Sequence, residues 1–386
     1  MRRNGFVRRR LFIALIAAVA LVFAPVERTA GGSREPVRAR SGMVVSSHYL
    51  ASQVGVEILK RGGNAVDAAI ATGFALAVVH PSAGNIGGGG FMLVRKANGE
   101  VRAFDFREKA PVAAHARMFL DESGQYTRPT NHEGWLSIGV PGTVAGFSLA
   151  HEKLGKLPMR DLIAPAVELA EKGFPLSWSL ADEFKYYASQ FKKYPGSVRI
   201  FLKENGELYQ PGEIWKQPDL ARTLRRIQEL GRDGFYRGET AREVATAMKE
   251  NGGLITEADL AAYEAKERMP LRGTYRGYEI IGMPPPSSGG VGVLEMLNIL
   301  QGYDLFKAGF GSAQHLHLLA EAMRRAFADR ARYLGDTDFN PDMPVARLIS
   351  KEYARELGRT IQPERASVSD PARFNDMAES QETTHY

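Results

Sequence analysis

Long segments with helical periodicity alternate with short apolar segments from residue 41 onward, and most of the long segments end at a glycine. Apolar residues three or four positions apart predict amphipathic helices, whereas short apolar runs between turn residues predict strands. Helices are therefore predicted over 50–60, 65–80, 142–154, 159–172, 218–230, 239–250, 291–301, 313–334 and 350–358, and strands over 42–46, 91–95, 101–106 and 274–283. This alternation predicts helices layered on sheet, in an α/β or α+β fold.

Several boundaries carry their own local signals. Asn64 is a predicted N-cap for the second helix, and Thr256 to Asp259 have the form of a capping box. Asn98-Gly99 is a hairpin-type turn between the two strands on either side of it. Pro284–Gly290, with the sequence PPPSSGG, predicts a shaped loop before a helix.

The N-terminus predicts export. Residues 1–30 hold six arginines and one glutamate, which is +5 of the chain's net charge of +6. The basic charge therefore belongs to a leader and does not indicate a nucleic-acid partner. The 14-residue apolar run Leu11–Ala24 is shorter than the roughly 20 residues of a spanning helix but fits a secretory signal. We expect a signal peptide at 1–30, a periplasmic or secreted protein, and no stable membrane span after processing.

Composition and motif searches exclude several kinds of site. The chain has no cysteine, so it has no disulfide, no cysteine-ligated zinc and no thiol nucleophile. It also lacks the G-x-S-x-G elbow, the phosphate loop and the H-E-x-x-H helix. The glycines at 84 and 87–90 have two interpretations, an anion-binding concavity or a tight buried connection, and the second is slightly favoured.

Arg107 ends a predicted strand in the segment DFREKAP (105–111) and has two interpretations. The first is a solvated strand end with local ion pairs worth about 0–1 kcal/mol each. The second is that its planar guanidinium binds a substrate carboxylate, a charge-assisted interaction worth roughly 1.5–3 kcal/mol.

The C-terminal residues suggest a nucleophile. Residues 363–382 are polar and without periodicity, and predict a mobile tail that leads to Thr383-Thr384-His385-Tyr386. If the Glu382–Thr383 bond were cut, Thr383 would have a free α-amino group beside its own hydroxyl. An α-amino group has a pKa of about 7.7–8, so it can act as general base for that hydroxyl at neutral pH.

From about Arg40 to its end, the chain resembles the γ-glutamyltransferase (γ-glutamyl transpeptidase, glutathione hydrolase) family. The matching segments are collinear and specific: GMVVSSHYLASQVGVEILKRGGNAVDAAIA (42–71), HPSAGNIGGGGFMLVR (80–95), DFREKAP (105–111), GVPGTVAGF (139–147), DGFYRGETA (233–241), MPPPSSGG (283–290), EAMRRAFADRARYLGD (321–336) and TTHY (383–386).

The resemblance implies the N-terminal nucleophile hydrolase fold, an αββα sandwich, incomplete here because most of the small subunit is missing. It implies a large-subunit region at 41–362, a pre-cleavage tail at 363–382 and the start of the small subunit at 383–386. By position in the family motifs, Glu382–Thr383 is the bond that the precursor cleaves, Thr383 the nucleophile and Arg107 the ligand of the substrate α-carboxylate. The implied reaction transfers the γ-glutamyl group of glutathione and related amides to water, amino acids or peptides, with no metal or organic cofactor.

Only four residues of the implied small subunit are present, so we expect this polypeptide alone to be neither self-processing nor active, and to need the small subunit of the same precursor as partner. Two alternatives stay open at this point. One is a cephalosporin (glutaryl) acylase of the same fold, which Arg107 and Thr383 cannot exclude. The other is a non-catalytic exported remnant.

Overall fold

A computed structural model describes residues 36–126 and 131–369 of the chain. The chain divides into two units, residues 1–43 and residues 44–386. In the first unit, residues 36–43 are exposed and contain no helix or strand. The helices and strands described below all belong to the second unit.

The second unit mixes helices with short strands. Its helices are α1 Tyr49–Lys60, α2 Ala65–Val79, α3 Thr143–Leu154, α4 Met159–Lys172, α5 Trp178–Phe191, α6 Pro195–Phe201, α7 Pro218–Leu230, α8 Asp233–Tyr236, α9 Gly238–Glu250, α10 Glu257–Ala262, α11 Gly289–Leu300, α12 Leu305–Ala308, α13 Ala313–Tyr333, α14 Val345–Leu348 and α15 Lys351–Arg359. Its strands are β1 Phe91–Arg95, β2 Val101–Asp105, β3 Phe174–Pro175, β4 Ile214–Trp215, β5 Lys266–Arg268, β6 Leu271–Tyr275 and β7 Tyr278–Gly282.

Helix α2 is the centre of the larger hydrophobic core. It is apolar on all sides, which is typical of a fully buried helix, and it packs against α1, α3 and α4. Its N-terminus has the predicted capping box: Asn64 Oδ1 accepts from the backbone N–H groups of Val66 and Asp67 at 2.9 and 3.0 Å. Asp67 Oδ2 accepts from the Asn64 N–H at 2.9 Å. The backbone N–H groups of Asn64, Val66 and Asp67 therefore all have hydrogen-bond acceptors at this end of the helix.

A second group of helices packs around α11, which contacts both α13 and α15. Its buried apolar residues include Ile299, Leu300, Leu318 and Ala354. The hairpin of β6 and β7 also packs against α11. This group is the part of the structure that carries the last described residues, 361–369.

The strands form three antiparallel groups. β1, β2 and β5 make a three-stranded sheet in the order β1-β2-β5, while β3 pairs with β4 and β6 with β7. β1 and β2 are joined through the predicted turn, where Gly99 has φ +86° and the Lys96 N–H donates to Glu100 O at 2.8 Å. The three-stranded sheet therefore brings residues 103–105 beside β5, which lies far away in the chain.

Most predicted helices are confirmed within two residues, including α10 after its Thr256 capping box. Two predicted strands are wrong. Residues 42–46 have no strand partner among the described residues and are not a strand, and Met43 and Val45 are more than half exposed. The predicted strand at 274–283 is instead the end of one strand and the whole of the next, because Arg276 and Gly277 turn the chain at φ +50° and +88°.

Helices α5 and α6 were not among the predicted elements. They pack an aromatic cluster in which Phe184, Phe191, Phe201 and Trp215 stack or meet edge to face. Along residues 36–126 and 131–369, no helix is long and apolar enough to cross a membrane.

Candidate functional site

Arg107 lies immediately beyond the ladder between β1 and β2. The Phe106 N–H donates to Gly90 O at 3.0 Å and the Gly90 N–H donates to Phe106 O at 3.3 Å, so pairing continues to Phe106 and stops there. The Arg107 side chain is exposed and makes no hydrogen bond or ion pair with any residue that the structure describes. Within 36–126 and 131–369, no side chain competes with a ligand for its guanidinium.

The backbone of Arg107 is held on both sides. Asp105 Oδ1 accepts from its N–H at 3.1 Å, and the Tyr263 hydroxyl donates to its carbonyl oxygen at 2.8 Å. Tyr263 stacks on Tyr236 with ring centroids 5.7 Å apart and an angle of 7° between the rings. Burial raises the pKa of the Tyr263 hydroxyl above its ordinary value, which keeps this hydroxyl protonated as a donor.

The first interpretation of the DFREKAP segment was local ion pairing at the strand end. Arg107 and Lys109 form no ion pair with any described residue. The Lys109 ammonium donates to Glu264 O at 3.0 Å and lies over the Tyr263 ring, 5.1 Å from its centroid. Asp105 pairs with Arg268 on β5 at 2.9 Å. Asp105 and Lys109 are therefore occupied by other partners, and Arg107 is the cation of this segment that has no partner among the described residues.

The glycine run has a steric role where it meets this segment. A Cβ at Gly89 would lie 2.5 Å from Phe106 O, and a Cβ at Gly142 would lie 2.0 Å from the same oxygen. Carbon atoms in folded proteins do not approach oxygen this closely, so both positions require glycine for the backbones to meet. The structure thus supports a tight connection at Gly89, which is half-buried, whereas Gly87 is exposed and has open space around it.

A network of ion pairs surrounds the Asp105 carboxylate. Arg268 donates through Nε and Nη2 to Asp105 Oδ2 at 3.0 and 2.9 Å, and through Nη1 to Asp338 Oδ1 at 2.9 Å. The Lys266 ammonium donates to Asp338 Oδ2 at 2.6 Å. Hydrogen bonds from Arg268 and then from Lys266 lower the pKa of Asp338 well below its ordinary value. Asp338 therefore stays ionised throughout the neutral range.

Sequence reasoning named Arg107 but missed Asp105, Tyr263, Arg268 and Asp338. Asp105 lies in the quoted motif, and its position two residues before Arg107 was the only signal available for it. The other three lie between 156 and 231 residues beyond Arg107 in the chain. Nothing in one sequence indicates that β5 and the loop at 336–340 return to this place.

The loop at Pro284–Gly290 leads into α11, as predicted. It contains a cis peptide bond between Pro285 and Pro286. Ser288 Oγ accepts from Arg330 Nε of α13 at 2.9 Å, and a Cβ at Gly290 would lie 2.2 Å from Met283 O. The loop is therefore packed closely against its own helix and tied to α13.

Three predicted features lie outside the described residues: the nucleophile Thr383, the cleavage residue Glu382 and the signal peptide at 1–30. The structure does describe the start of the predicted tail, up to residue 369. Ser367 donates to buried Glu321 twice, from its backbone N–H to Oε1 at 2.9 Å and from its hydroxyl to Oε2 at 2.6 Å. Arg325 Nη1 donates to the same Oε2 at 2.6 Å. The chain is thus held to α13 at Ser367.

The Glu321 carboxylate is the centre of this attachment. Burial alone would raise its pKa, but the hydrogen bonds from Ser367 and Arg325 outweigh burial and lower the pKa of Glu321 to about 2. Because the native pKa lies below the ordinary value of 4.5, the carboxylate stabilises the fold above about pH 4.5. That contribution is lost as the pH falls through about 2.

Glu321→Gln should loosen residues 361–369. Charge-assisted hydrogen bonds are worth about 1.5–3 kcal/mol, so we expect amide hydrogen exchange in this segment to rise by roughly 10- to 100-fold at neutral pH. Exchange is measured by mass spectrometry on peptides from the segment. Glu364→Gln, an exposed carboxylate of the same segment, is the matched control and should leave exchange unchanged. Equal exchange in both variants would contradict this role of Glu321.

No group of three or more His, Asp or Glu side chains within 36–126 and 131–369 is placed to hold a metal ion. The two histidines of α13 have separate partners. His315 Nδ1 accepts from the Gly311 N–H at 3.3 Å, and His317 Nε2 lies 2.8 Å from Gln362 O.

Comparison with known proteins places the chain in a family. A family model described as gamma-glutamyltranspeptidase matches residues 51–386. The glutathione hydrolase proenzyme of Pseudomonas sp. (strain A14) is 46% identical over 387 residues, which cover 100% of this chain and 66% of that protein. The Acylase ACY 1 proenzyme of Pseudomonas sp. (strain SE83) is 42% identical over 369 residues, covering 94% of this chain and 65% of that protein.

A solved structure agrees with these relatives. The crystal structure of Helicobacter pylori gamma-glutamyltranspeptidase superposes with a TM-score of 0.85 at 46% identity, covering 90% of this chain and 100% of that chain. This chain therefore has the mixed helix-and-strand fold of the N-terminal nucleophile hydrolases. It spans about two thirds of the length of the curated relatives that it matches. The chain belongs to the gamma-glutamyltranspeptidase family.

Proposed function

We propose that this chain is the large-subunit part of an exported enzyme that transfers the γ-glutamyl group of glutathione and related amides to water, amino acids or peptides. The observation that carries the proposal is the exposed guanidinium of Arg107, which has no partner in the described part of the chain, on a backbone that Asp105 and Tyr263 hold from both sides. A positioned guanidinium with no partner among the described residues matches the charge and bidentate shape of an α-carboxylate.

The proposed reaction begins with maturation. Cleavage of the Glu382–Thr383 bond frees the α-amino group of Thr383, which then accepts the proton of its own hydroxyl. The Thr383 oxygen attacks the γ-carbonyl carbon, the C–N bond of the γ-amide breaks, the departing amine takes up the proton, and a γ-glutamyl ester forms. Water or an amino group then attacks the ester and restores the Thr383 hydroxyl. Because Thr383 supplies both nucleophile and base, these steps need no metal or organic cofactor.

The arrangement of the precursor follows from the same proposal. Residues 1–30 direct export to the periplasm or beyond, 41–362 form the large-subunit region, and 363–382 lead to the cleaved bond. A small subunit beginning at Thr383 is the partner. The alignments with two relatives support a precursor that is cut into two chains. This sequence covers only 66% of the length of a relative named a proenzyme, but it covers 100% of the solved Helicobacter pylori chain.

A glutaryl-cephalosporin acylase is the second candidate, because a relative named an acylase is 42% identical. Both substrates would present an acyl group to Thr383, but glutaryl lacks the α-amino group of γ-glutamyl. Purified enzyme would therefore be given glutathione and a glutaryl-cephalosporin in competition. Preference for glutathione supports the first candidate, and preference for the cephalosporin supports the second.

The direct test is to isolate the protein from its native cell envelope, measure the intact mass of each chain and sequence each N-terminus. We expect one chain that ends at Glu382 and a second that begins Thr383-Thr384-His385-Tyr386, together with hydrolysis of a γ-glutamyl anilide. An uncut chain with no γ-glutamyl hydrolysis would contradict the proposal.

A further inference from the structure

A continuous set of contacts joins the loop at 336–340 to the backbone of Arg107. Asp338 binds Arg268, Arg268 binds Asp105 Oδ2, and Asp105 Oδ1 accepts from the Arg107 N–H. Asp105 and Arg268 are mostly buried, with side chains 8% and 17% exposed. Asp338, at 24%, is the member nearest to solvent.

The two carboxylate oxygens of Asp105 bind different partners, so the orientation of this carboxylate decides whether Oδ1 can accept from the Arg107 N–H. Oδ2 receives two donors from Arg268, which converge on this one oxygen, and they leave Oδ1 to accept from the Arg107 N–H. Arg268 in turn has a second carboxylate, Asp338, on its Nη1. Without Asp338, Nη1 would lose this partner and the guanidinium would be freer to rotate away from Asp105.

Lys266 and Glu267 show that the network belongs to one face of β5. Lys266 shares Asp338 with Arg268. Glu267, between them in the strand, pairs instead with Arg102 of β2, with 2.7 Å between Nε and Oε1. Side chains alternate along a strand, so Glu267 is a charged residue of the same strand that takes no part in the network.

We propose that Asp338 and Arg268 are positioning residues for the carboxylate-binding Arg107, acting through Asp105. This rests on the proposed function, in which Arg107 binds the α-carboxylate of the γ-glutamyl group. Asp338 touches no substrate in this proposal; it keeps Arg268 and Asp105 in the orientation that holds the Arg107 backbone. Its loss should weaken substrate binding more than it slows the chemical step.

The test uses the enzyme purified from the cell envelope with its companion chain, and a γ-glutamyl anilide as substrate. Asp338→Asn is expected to raise KM by about five- to tenfold while kcat changes by less than about twofold. Asp338→Glu, which keeps the charge, should restore most of the binding. Glu267→Gln is the matched control and should leave both constants unchanged.

A double-mutant cycle with Arg107→Ala separates positioning from a general structural effect. If Asp338 acts through Arg107, Asp338→Asn should raise KM no further once Arg107 is alanine. An equal rise in both backgrounds, or a lower Tm with unchanged KM, would overturn the positioning role. If Arg107→Ala itself leaves KM unchanged, the proposed function of Arg107 fails, and that outcome is distinct from the first two.

Discussion

In the precursor that includes the small subunit, substitution of Thr383→Ala is expected to block cleavage of the Glu382–Thr383 bond and to lower γ-glutamyl hydrolysis by at least about 10³-fold. In the proposed reaction the Thr383 oxygen is the nucleophile, and alanine has no atom that can replace it. Intact mass measurement reports the cleavage, and release of the anilide reports the hydrolysis. Both losses should occur in a protein that still unfolds cooperatively on heating.

Thr383→Ser provides the conservative comparison, because serine keeps both the hydroxyl and the α-amino group. It should still be cut and should retain measurable hydrolysis. If Thr383→Ala were cut and as active as the unchanged protein, the nucleophile would lie elsewhere. If the precursor were inactive both with Thr383 and with Thr383→Ala although its small subunit was present, the chain would be a non-catalytic exported relative of the family.

The second large effect concerns two carboxyl groups away from Arg107, of which Glu295 is buried and Asp329 is half-buried. Glu295 of α11 is 1% exposed, and its Oε1 has no hydrogen-bond partner among the described residues. Asp329 of α13 accepts from the Tyr353 hydroxyl at 2.6 Å, and the Arg347 guanidinium lies over the Tyr353 ring. Burial, and next the charge of Asp329, raises the pKa of Glu295 to about 9.

This shift makes stability depend on pH in a definite direction. The unfolded chain releases the Glu295 proton near pH 4.5, whereas the folded chain keeps it to about pH 9. The stabilisation is therefore complete below about pH 4.5 and is lost as the pH rises through about 9. Each pH unit in this window lowers the free energy of unfolding by up to about 1.4 kcal/mol.

Glu295→Gln should remove this dependence, because glutamine is neutral at every pH and similar in size. Between about pH 5.5 and about pH 8.5 the unchanged protein should lose on the order of 3 kcal/mol more than the variant loses. Urea unfolding at both pH values measures the difference. Glu356→Gln, an exposed carboxylate on α15, is the control. Parallel pH profiles for Glu295→Gln and the unchanged protein would show that Glu295 is ionised in the fold.

Local signals in the sequence were enough for most helices. The caps at Asn64 and Thr256 act within three residues, and their hydrogen bonds form as the pattern predicts. The wrong strand at 274–283 shows the limit of such signals. Its apolar residues fit one strand, but Arg276 and Gly277 form a turn that only pairing between β6 and β7 reveals.

In the candidate site, too, short segments of sequence indicate some residues, whereas others are found only from contacts between distant segments. Arg107 could be named from its motif, and Thr383 from the chemistry of an N-terminal threonine, because short segments carry those signals. The contacts that hold Arg107 could not be named, since Asp105 meets Arg268 across 163 residues and Arg268 meets Asp338 across 70. The raised pKa of Glu295 likewise depends on α11 and α13 enclosing two carboxyl groups. Periodicity and capping are local properties of a chain, whereas ion-pair networks and burial arise only when distant segments pack together.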